Sequence, residues 1–214
     1  MSTDSRKIRL ILELRHSGVT ETKVCAAIER LPRELFVPDA FLDQAYEDIA
    51  LPIDCHQTLS APVVVGRMTQ ALELNDRMKV LEIGTGSGYH AAVLAQLCRR
   101  VYSIERHPEL LEQALQRFRR LNLVNITAKV GDGTLGWPEQ APFERILVTA
   151  AASDVPPVLA SQLAVGGLMV VPVDDGVGDP RLLRVKRTEE GFETGDLGPI
   201  RFVPLIVCPT PGRS

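Results

Sequence analysis

The chain has 214 residues, 45% of them hydrophobic and 24% charged, and its formal net charge is −3. These values are typical of one globular domain, and the absence of a strongly basic stretch argues against a nucleic-acid-binding protein. No apolar run approaches the roughly 20 residues of a membrane span, and the polar N-terminus does not resemble a secretion signal. The four cysteines form no Cys-x-x-Cys pair, which predicts a cytoplasmic protein with reduced thiols and no metal site.

The first 60 residues are predicted to hold two helices followed by an ordered loop. In the first helix, Ile8, Ile11, Leu12 and Arg15 share a face. The second is predicted from the i, i+3, i+4, i+7 spacing of Val24, Ala27, Ile28 and Leu31, with Thr20 as its cap. We expect residues 1–60 to form an N-terminal helical substrate segment on a core of residues 61–214, all within one structural domain.

A third helix is predicted to begin at the triplet Ser60-Ala61-Pro62 and to run to about Leu72. Serine is a favoured N-cap, and proline is favoured in the first turn of a helix. From its position alone Ser60 is therefore a candidate helix cap, which contributes about 1 kcal/mol.

From Lys79 onward, apolar strands alternate with amphipathic helices. Strands are predicted near 79–83, 100–104, 126–130, 144–149 and 167–173, and helices near 88–98, 108–121 and 156–164. This alternation is typical of a Rossmann-like, doubly wound α/β fold with a mostly parallel, seven-stranded sheet. Two β-rich segments, Leu182–Arg187 and Phe202–Val207, are predicted to form an antiparallel hairpin that ends the sheet.

The first predicted strand of this alternation runs directly into a glycine loop, Gly84-x-Gly86-x-Gly88. Glycines at such a turn let the backbone approach a nucleotide-like ligand closely. A dinucleotide site requires Gly-x-Gly-x-x-Gly, and here the third glycine comes one residue early. Glu82 adds an acidic residue before the loop, which favours a cationic ligand over a pyrophosphate. The pattern therefore indicates S-adenosylmethionine rather than NAD.

Two further acidic residues follow the next two predicted strands. Glu105 comes about 20 residues after the first glycine, a spacing that suits a carboxylate binding the two ribose hydroxyls. Asp132 lies between two glycines, where a carboxylate or backbone group can accept the adenine amino group. Each acid alone could be an ordinary strand end or turn residue. Together, on successive strand ends, they support a cofactor site.

These motifs resemble those of the protein-L-isoaspartate O-methyltransferases across roughly residues 8 to 207. The glycine loop alone is typical of any class I methyltransferase, whereas the segments before and after the sheet are more specific. The segments that carry the resemblance are Pro32-Arg-Glu-Leu-Phe-Val37, Gln57-Thr-Leu-Ser60, Val80-Leu-Glu-Ile-Gly-Thr-Gly-Ser-Gly-Tyr89, Tyr102-Ser-Ile-Glu-Arg106, Gly131-Asp-Gly133, Ala141-Pro-Phe-Glu-Arg-Ile-Leu-Val-Thr-Ala-Ala151 and Arg201-Phe-Val-Pro-Leu205.

The resemblance implies that a methyl group passes from S-adenosyl-L-methionine to the α-carboxylate of an L-isoaspartyl residue, leaving S-adenosyl-L-homocysteine. The acceptors would be damaged, isoaspartyl-containing proteins and peptides, and the enzyme a cytoplasmic monomer. By similarity Ser60 is the catalytic hydroxyl. The residues expected to bind substrate are Ile53, Thr58, Leu59 and Val203. Those expected to bind the cofactor are Glu82, Gly84, Thr85, Gly86, Ser87, Gly88, Glu105, Arg106, Asp132, Gly133 and Thr149.

The sequence departs from the family pattern beside the expected acceptor site. The family typically reads Leu-Pro-Ile-Gly-x-Gly-Gln-Thr-Ile-Ser, whereas Asp54 and His56 replace both glycines here. Asp54 could repel a carboxylate substrate, and a protonated His56 could attract one. Four interpretations stay open from the sequence: a repacked loop, a changed acceptor, weakened isoaspartate activity, and a cofactor-binding homologue that acts as a sensor or adaptor.

Overall fold

The computed structural model describes residues 3–206, which form six α-helices, four short 3-10 helices and nine strands. The α-helices are α1 Thr3–His16, α2 Thr22–Arg30, α3 Pro62–Ala71, α4 Tyr89–Ala95, α5 Pro108–Arg120 and α6 Pro157–Ser161. The 3-10 helices are Arg33–Phe36, Asp39–Gln44, Gly133–Leu135 and Pro138–Gln140. The strands are β1 Leu51–Ile53, β2 Gln57–Leu59, β3 Lys79–Ile83, β4 Arg100–Glu105, β5 Ile126–Val130, β6 Phe143–Val148, β7 Leu163–Val173, β8 Arg181–Arg187 and β9 Phe192–Pro199.

Seven strands form one sheet in the order β5-β4-β3-β6-β7-β8-β9, and β1 pairs with β2 in a separate hairpin. Strands β3 to β7 are parallel, while β8 and β9 are antiparallel. The predicted fold class is confirmed. The chain reverses its direction of travel across the sheet between β3 and β6, and ligands of doubly wound sheets bind at such a switch point.

The central strands are apolar because both faces of the sheet are covered. In β3, for example, Val80 faces one buried cluster that includes Val93 and Leu94 of α4. Leu81 faces the other cluster, which contains Leu159 of α6. The sheet is therefore a buried platform, and its strand ends hold the loops that follow them in fixed positions.

The N-terminal helices α1 and α2 pack against α3, and they share one buried cluster with the sheet. The apolar positions predicted for α2 are buried, whereas the shared face predicted for α1 is mostly exposed and its Ile11 is partly buried. Leu10 and Leu14 are buried, whereas Ile8 and Leu12 are 60% and 53% exposed. Leu14 packs closely against α3 at Gly66, where an added Cβ would lie only 3.2 Å from Leu14 Cδ2. This contact with α3 determines which side of α1 is buried.

The N-cap of α2 and the position of the last strand also differ from the predictions. Helix α2 has Glu21 as its N-cap rather than Thr20, and Gln70 Oε1 accepts both backbone N–H groups at 2.8 and 2.9 Å. The partner of β8 is β9, not 202–207; residue 207 lies outside the described part of the chain. A tight turn, in which Thr188 N donates to Gly191 O, starts β9 early. Its exposed polar residues gave no strand signal.

Across residues 3–206, no helix has the length and apolar character that crossing a bilayer would require.

Candidate functional site

A cavity of about 300 Å³ opens at the carboxyl ends of β3, β4 and β6, at the switch point of the sheet. Its walls come from the glycine loop, the β2–α3 segment and the C-terminal tail. The lining residues are His56, Gln57, Thr58, Leu59, Ser60, Val65, Ile83, Gly84, Thr85, Gly86, Ser87, Tyr89, His90, Ile104, Glu105, Arg106, Gly133, Thr149, Ala150, Val203, Pro204, Leu205 and Ile206. Most of the sequence-predicted site residues therefore meet in one place.

The glycine loop needs its glycines for two different reasons. Gly84 has a φ of 95°, and a Cβ on it would lie 2.3 Å from Thr149 Oγ1. That hydroxyl donates to the Ile83 and Gly84 carbonyls, at 2.9 and 2.8 Å. Gly86 also has a positive φ, but a Cβ there would meet only Ile53 Cδ1, at 3.6 Å. Gly84 thus permits close packing, while Gly86 keeps the cavity wall free of a side chain.

Gly88 and Ile53 lie behind the wall rather than on it. Gly88 is the N-cap of α4 with a φ of 88°. A Cβ on Gly88 would lie 2.7 Å from Phe118 Cε1 of α5. Because α4 and α5 approach so closely, Gly88 fixes where the loop ends and the helix begins. Ile53 does not line the cavity, and its Cδ1 would lie 3.6 Å from a Cβ on Gly86.

Glu105 is the most firmly held acid at the cavity. One carboxylate oxygen accepts from Gly86 N at 2.8 Å, and the other accepts from His107 N at 3.0 Å. The side chain is nearly buried, yet it lines the cavity beside Arg106. A carboxylate fixed in this way has remaining acceptor capacity for a pair of hydroxyl groups.

Glu82 does not line the cavity, and its charge does not face a ligand as the sequence suggested. It is fully buried below the loop, and burial raises the pKa of this carboxyl group to about 8. Ser103 Oγ donates to Glu82 Oε2 at 2.5 Å and lies 2.6 Å from Thr85 Oγ1. Glu82 therefore supports the loop as a largely neutral hydrogen-bonding group at pH 7.

Asp132 also lies outside the cavity lining, although its neighbour Gly133 belongs to it. The Asp132 carboxylate accepts from Thr134 N at 2.9 Å and from Thr134 Oγ1 at 2.6 Å. It caps the 3-10 helix Gly133–Leu135. The described contacts of Asp132 are those of a turn-forming residue, which places backbone rather than carboxylate at the cavity.

The two residues that depart from the family pattern, Asp54 and His56, lie in the turn of the β1–β2 hairpin. Its turn runs from Asp54 to Gln57, and Gln57 N donates to Asp54 O at 3.1 Å. Cys55 and His56 both have positive φ, 57° and 55°, whereas Asp54 does not. The Asp54 carboxylate accepts from Gln113 Nε2 of α5 at 2.7 Å. Asp54 thus turns away from the cavity, and His56 lines it.

Ser60 is not the cap of α3. The N-cap position belongs to Ala61, which has no side-chain cap, and Asp48 Oδ1 accepts from Val63 N in the first turn at 2.8 Å. No hydrogen bond among the described residues uses the Ser60 hydroxyl, while the Ser60 carbonyl accepts from Arg33 Nη2 at 2.9 Å. Ser60 lines the cavity.

Sequence reasoning missed several residues that build this site. Arg33 is completely buried, with its guanidinium 4.5 Å from the ring centroid of Tyr89. Desolvation lowers the pKa of Arg33 from its usual value. His90 Nε2 lies 2.9 Å from Thr69 Oγ1, and burial lowers the pKa of His90 to about 3. Local sequence patterns do not predict these contacts, because each contact joins segments that are far apart in the sequence.

The C-terminal tail closes the cavity from the other side. Ala151 N donates to Val203 O at 2.8 Å, and Leu205 N donates to Ala151 O at 2.7 Å. These bonds form a short parallel bridge at Pro204. The tail is thereby fixed at the carboxyl end of β6, and Val203 lines the cavity as predicted.

Comparison with known proteins yields one consistent family. Residues 5–208 match the family model described as protein-L-isoaspartate(D-aspartate) O-methyltransferase. A protein-L-isoaspartate O-methyltransferase of Rhodospirillum rubrum is 62% identical over 208 residues, covering 96% of this chain and 95% of that protein. One from Paramagnetospirillum magneticum is 59% identical over 204 residues, covering 95% of each chain.

Solved structures agree with these sequence relatives. A protein-L-isoaspartate O-methyltransferase with 29% identity superposes with a TM-score of 0.84, over 92% of this chain and 65% of that one. A Plasmodium falciparum structure in complex with S-adenosyl-L-homocysteine gives a TM-score of 0.80 at 21% identity, covering 92% and 97%. The resemblance seen in the sequence is confirmed, and with it the predictions of a methyltransferase and its S-adenosylmethionine cofactor.

Proposed function

This chain belongs to the protein-L-isoaspartate(D-aspartate) O-methyltransferase family, and we propose that it methylates the α-carboxylate of L-isoaspartyl residues in damaged proteins and peptides. The observation that carries the proposal is the single cavity in which the glycine loop and Ser60 meet. One wall offers the features of a cofactor site, and the opposite wall offers a free hydroxyl. Group transfer between two bound molecules needs this arrangement.

We infer that the cofactor occupies the side of the cavity formed by Gly84–Gly88, Glu105 and Thr149. The fit is supported by Gly86, whose missing side chain leaves the wall open, and by Glu105, whose fixed carboxylate suits two ribose hydroxyls. Arg106 and the Gly133 backbone border the same space. S-adenosylmethionine supplies a methyl group that is already activated by the positive sulfur.

Of the cofactor residues expected from the sequence, three act from behind the wall in this proposal. Glu82 holds Thr85 through Ser103, Asp132 shapes the turn that presents Gly133, and Gly88 sets the start of α4. The residues in direct contact with the cofactor are proposed to be Gly84, Thr85, Gly86, Ser87, Glu105, Arg106, Gly133 and Thr149.

The acceptor side needs little chemistry of its own. A carboxylate is ionised at pH 7 and requires no general base. The Ser60 hydroxyl is proposed to donate to one carboxylate oxygen, so that the other oxygen is aligned for attack on the methyl group. Arg33 holds the Ser60 backbone in place from the buried side. Thr58, Leu59, Val203 and, behind them, Ile53 are proposed to shape the acceptor groove.

The placement of the Asp54 side chain favours the family acceptor over a changed one. Its carboxylate is bound to Gln113 on the outer side of the hairpin, so it neither narrows the cavity nor repels a carboxylate within it. We further propose that the enzyme is a cytoplasmic monomer that does not bind nucleic acid. The net charge of −3 supports the absence of nucleic-acid binding, and the free state of the described cysteines supports a reducing compartment.

The test is methyl transfer from labelled S-adenosylmethionine to an isoaspartyl peptide, with the matching aspartyl peptide as the control. We expect a base-labile ester on the isoaspartyl peptide alone. Ester on neither peptide, with the cofactor still bound, would contradict the proposal and favour a sensor or adaptor. Transfer to small carboxylic acids but not to the peptide would favour a changed acceptor.

The role of Ser60 is tested separately with Ser60→Ala and, as a matched control, Ser153→Ala on the exposed surface. We expect Ser60→Ala to lower kcat by about 100-fold, the scale of losing one donor to a reacting oxygen. Binding of S-adenosylmethionine should be unchanged. A kcat within twofold of the control would remove Ser60 from the mechanism.

A further inference from the structure

Three side chains of different metal-ligating types converge beside the cavity. Cys55 lies in the turn of the β1–β2 hairpin, His107 caps α5, and Glu109 lies in the first turn of that helix. One ligand atom from each lies within 4.8 Å of the others. None of the three lines the cavity, so the methyl-transfer site does not already account for them.

The imidazole of His107 provides a second, independent observation that points to a ligand at this place. Its Nε2 atom is buried and has no hydrogen-bond partner among the described residues. A buried polar atom without a partner carries a desolvation cost of about 1–3 kcal/mol. His107 does not recover this cost as a helix cap, because its side chain makes no cap hydrogen bond.

The surroundings of the cluster carry negative charge. Asp54 precedes Cys55 in the same turn, and its carboxylate is held against α5 by Gln113. Glu105 accepts from the backbone N–H of His107 at 3.0 Å. With Glu109 itself, three carboxylates stand around one thiol and one imidazole. The N-terminal end of α5 and Arg117, which interacts with Asp54, offset part of this negative charge. The three carboxylates still favour a divalent cation over an anionic ligand.

We propose that Cys55, His107 and Glu109 form a three-ligand site for Zn²⁺. Sulfur, imidazole nitrogen and carboxylate oxygen are the three donor types that zinc takes in proteins, and a fourth position would remain for water. Calcium and magnesium prefer all-oxygen sites. Binding replaces the S–H bond of Cys55 with an S–Zn bond, and the displaced proton passes to solvent.

The metal would join two segments that are far apart in the sequence. It would link the hairpin turn to the start of α5, next to the existing contact between Asp54 and Gln113. The hairpin leads through β2 to Ser60. Zinc at this site would therefore restrain the acceptor side of the cavity from outside it.

The site is tested on the untagged full chain by Co²⁺ titration and by competition for Zn²⁺ with a chromophoric chelator. We expect one equivalent of metal and a thiolate-to-cobalt absorption band. Cys55→Ser, His107→Gln and Glu109→Gln should each weaken Zn²⁺ binding more than about tenfold, since even losing a group that supports a ligand costs 10–100-fold. The band should vanish in Cys55→Ser.

Matched controls are His16→Gln, Glu112→Gln and Cys25→Ser, which change the same residue types outside the cluster. They should bind zinc as the parent chain does, and thermal unfolding of each variant checks that the fold is kept. Zn²⁺ should also slow alkylation of Cys55, followed by mass spectrometry, without any dependence on methyl transfer. Equal zinc affinity in Cys55→Ser and the parent, or an alkylation rate that zinc leaves unchanged, would overturn the proposal.

Discussion

The two proposed sides of the cavity differ in backbone conformation: the cofactor wall is formed by Gly84–Gly88, Glu105 and Thr149, and the acceptor wall by the β1–β2 hairpin and Ser60. On the cofactor wall, every positive φ from Gly84 to Gly88 belongs to a glycine, which adopts this conformation without a steric cost. On the acceptor wall, the hairpin turn places Cys55 and His56 in the same left-handed region, where a residue with a Cβ is strained by about 1–2 kcal/mol. The cofactor wall is unstrained and rests on the sheet, whereas the acceptor wall is a small strained hairpin.

The difference shows where the family pattern can change. The glycine at position 84 is required by a Thr149 contact that has no room for a Cβ. Of the two hairpin positions where the family has glycine, position 56 has a positive φ and position 54 does not. Asp54 therefore replaces a glycine that the backbone does not need, and its carboxylate gains a contact with Gln113. His56 replaces a glycine at a position where the backbone is left-handed, the conformation that favours glycine.

The largest effect is expected from Glu82, the buried residue beneath the cofactor wall. Its pKa is raised from 4.5 to about 8 in the folded chain, so the folded state holds a proton that the unfolded state has released. Stability should be full below pH 4.5 and should fall as the pH rises to about 8. Relative to Glu82→Gln, the parent should lose on the order of 4 kcal/mol over this window. Urea unfolding at several pH values measures the difference.

A pH-independent difference between the two proteins would show that Glu82 is not buried in this way. The Gln variant is the matched reference because it keeps an acceptor for the Ser103 hydroxyl. The titration of other groups, such as His90, cancels in the comparison.

The close packing of the glycine loop is tested by Gly84→Ala. The added Cβ would overlap Thr149 Oγ1 and disturb its two hydrogen bonds. We expect a loss of about 3 kcal/mol in unfolding free energy, together with weaker binding of S-adenosylmethionine. Gly86→Ala, where the space is open, should cost only about 1 kcal/mol. Equal losses at the two positions would contradict this distinction.

On the acceptor wall, the variant Asp48→Ala tests whether Asp48, rather than Ser60, caps helix α3. This change removes the acceptor for Val63 N and should lower stability by about 1 kcal/mol. Ser60→Ala should change stability by less than about 0.5 kcal/mol, because Ser60 is not a cap. Thermal or chemical unfolding of both variants checks the assignment, and the reverse order of losses would restore Ser60 as the cap.

The smallest effect is expected from His56→Gly. Glycine relieves the left-handed strain but increases the entropy of the unfolded chain, so the net gain should be about 0.5 kcal/mol. Asp54→Gly, with ordinary backbone geometry and a lost bond to Gln113, should instead destabilise the chain. Denaturant midpoints of the two variants measure the signs. A loss of stability in His56→Gly would show that the turn is not strained at this residue.

The sequence predicted the cofactor wall better than its surroundings. Glu105 and the glycine loop could be located because strand ends and glycine spacing are local patterns. The exposed strand β9 was missed because its residues are polar and lack apolar alternation. The buried face of α1 was not predicted, because contact with α3, rather than helical periodicity, selects Leu10 and Leu14. Helices α4 and α6 end at Ala95 and Ser161, earlier than predicted.

By itself the sequence determined the doubly wound sheet, the cofactor class and the family, because each depends on residues adjacent along the chain. Tertiary structure decided what each side chain near the cavity does. It made Glu82 a buried support, Asp48 the cap of α3, and Ser60 a free hydroxyl held from behind by Arg33. These roles depend on contacts between distant segments, and such contacts exist only once the hairpin and the N-terminal helices have packed against the sheet.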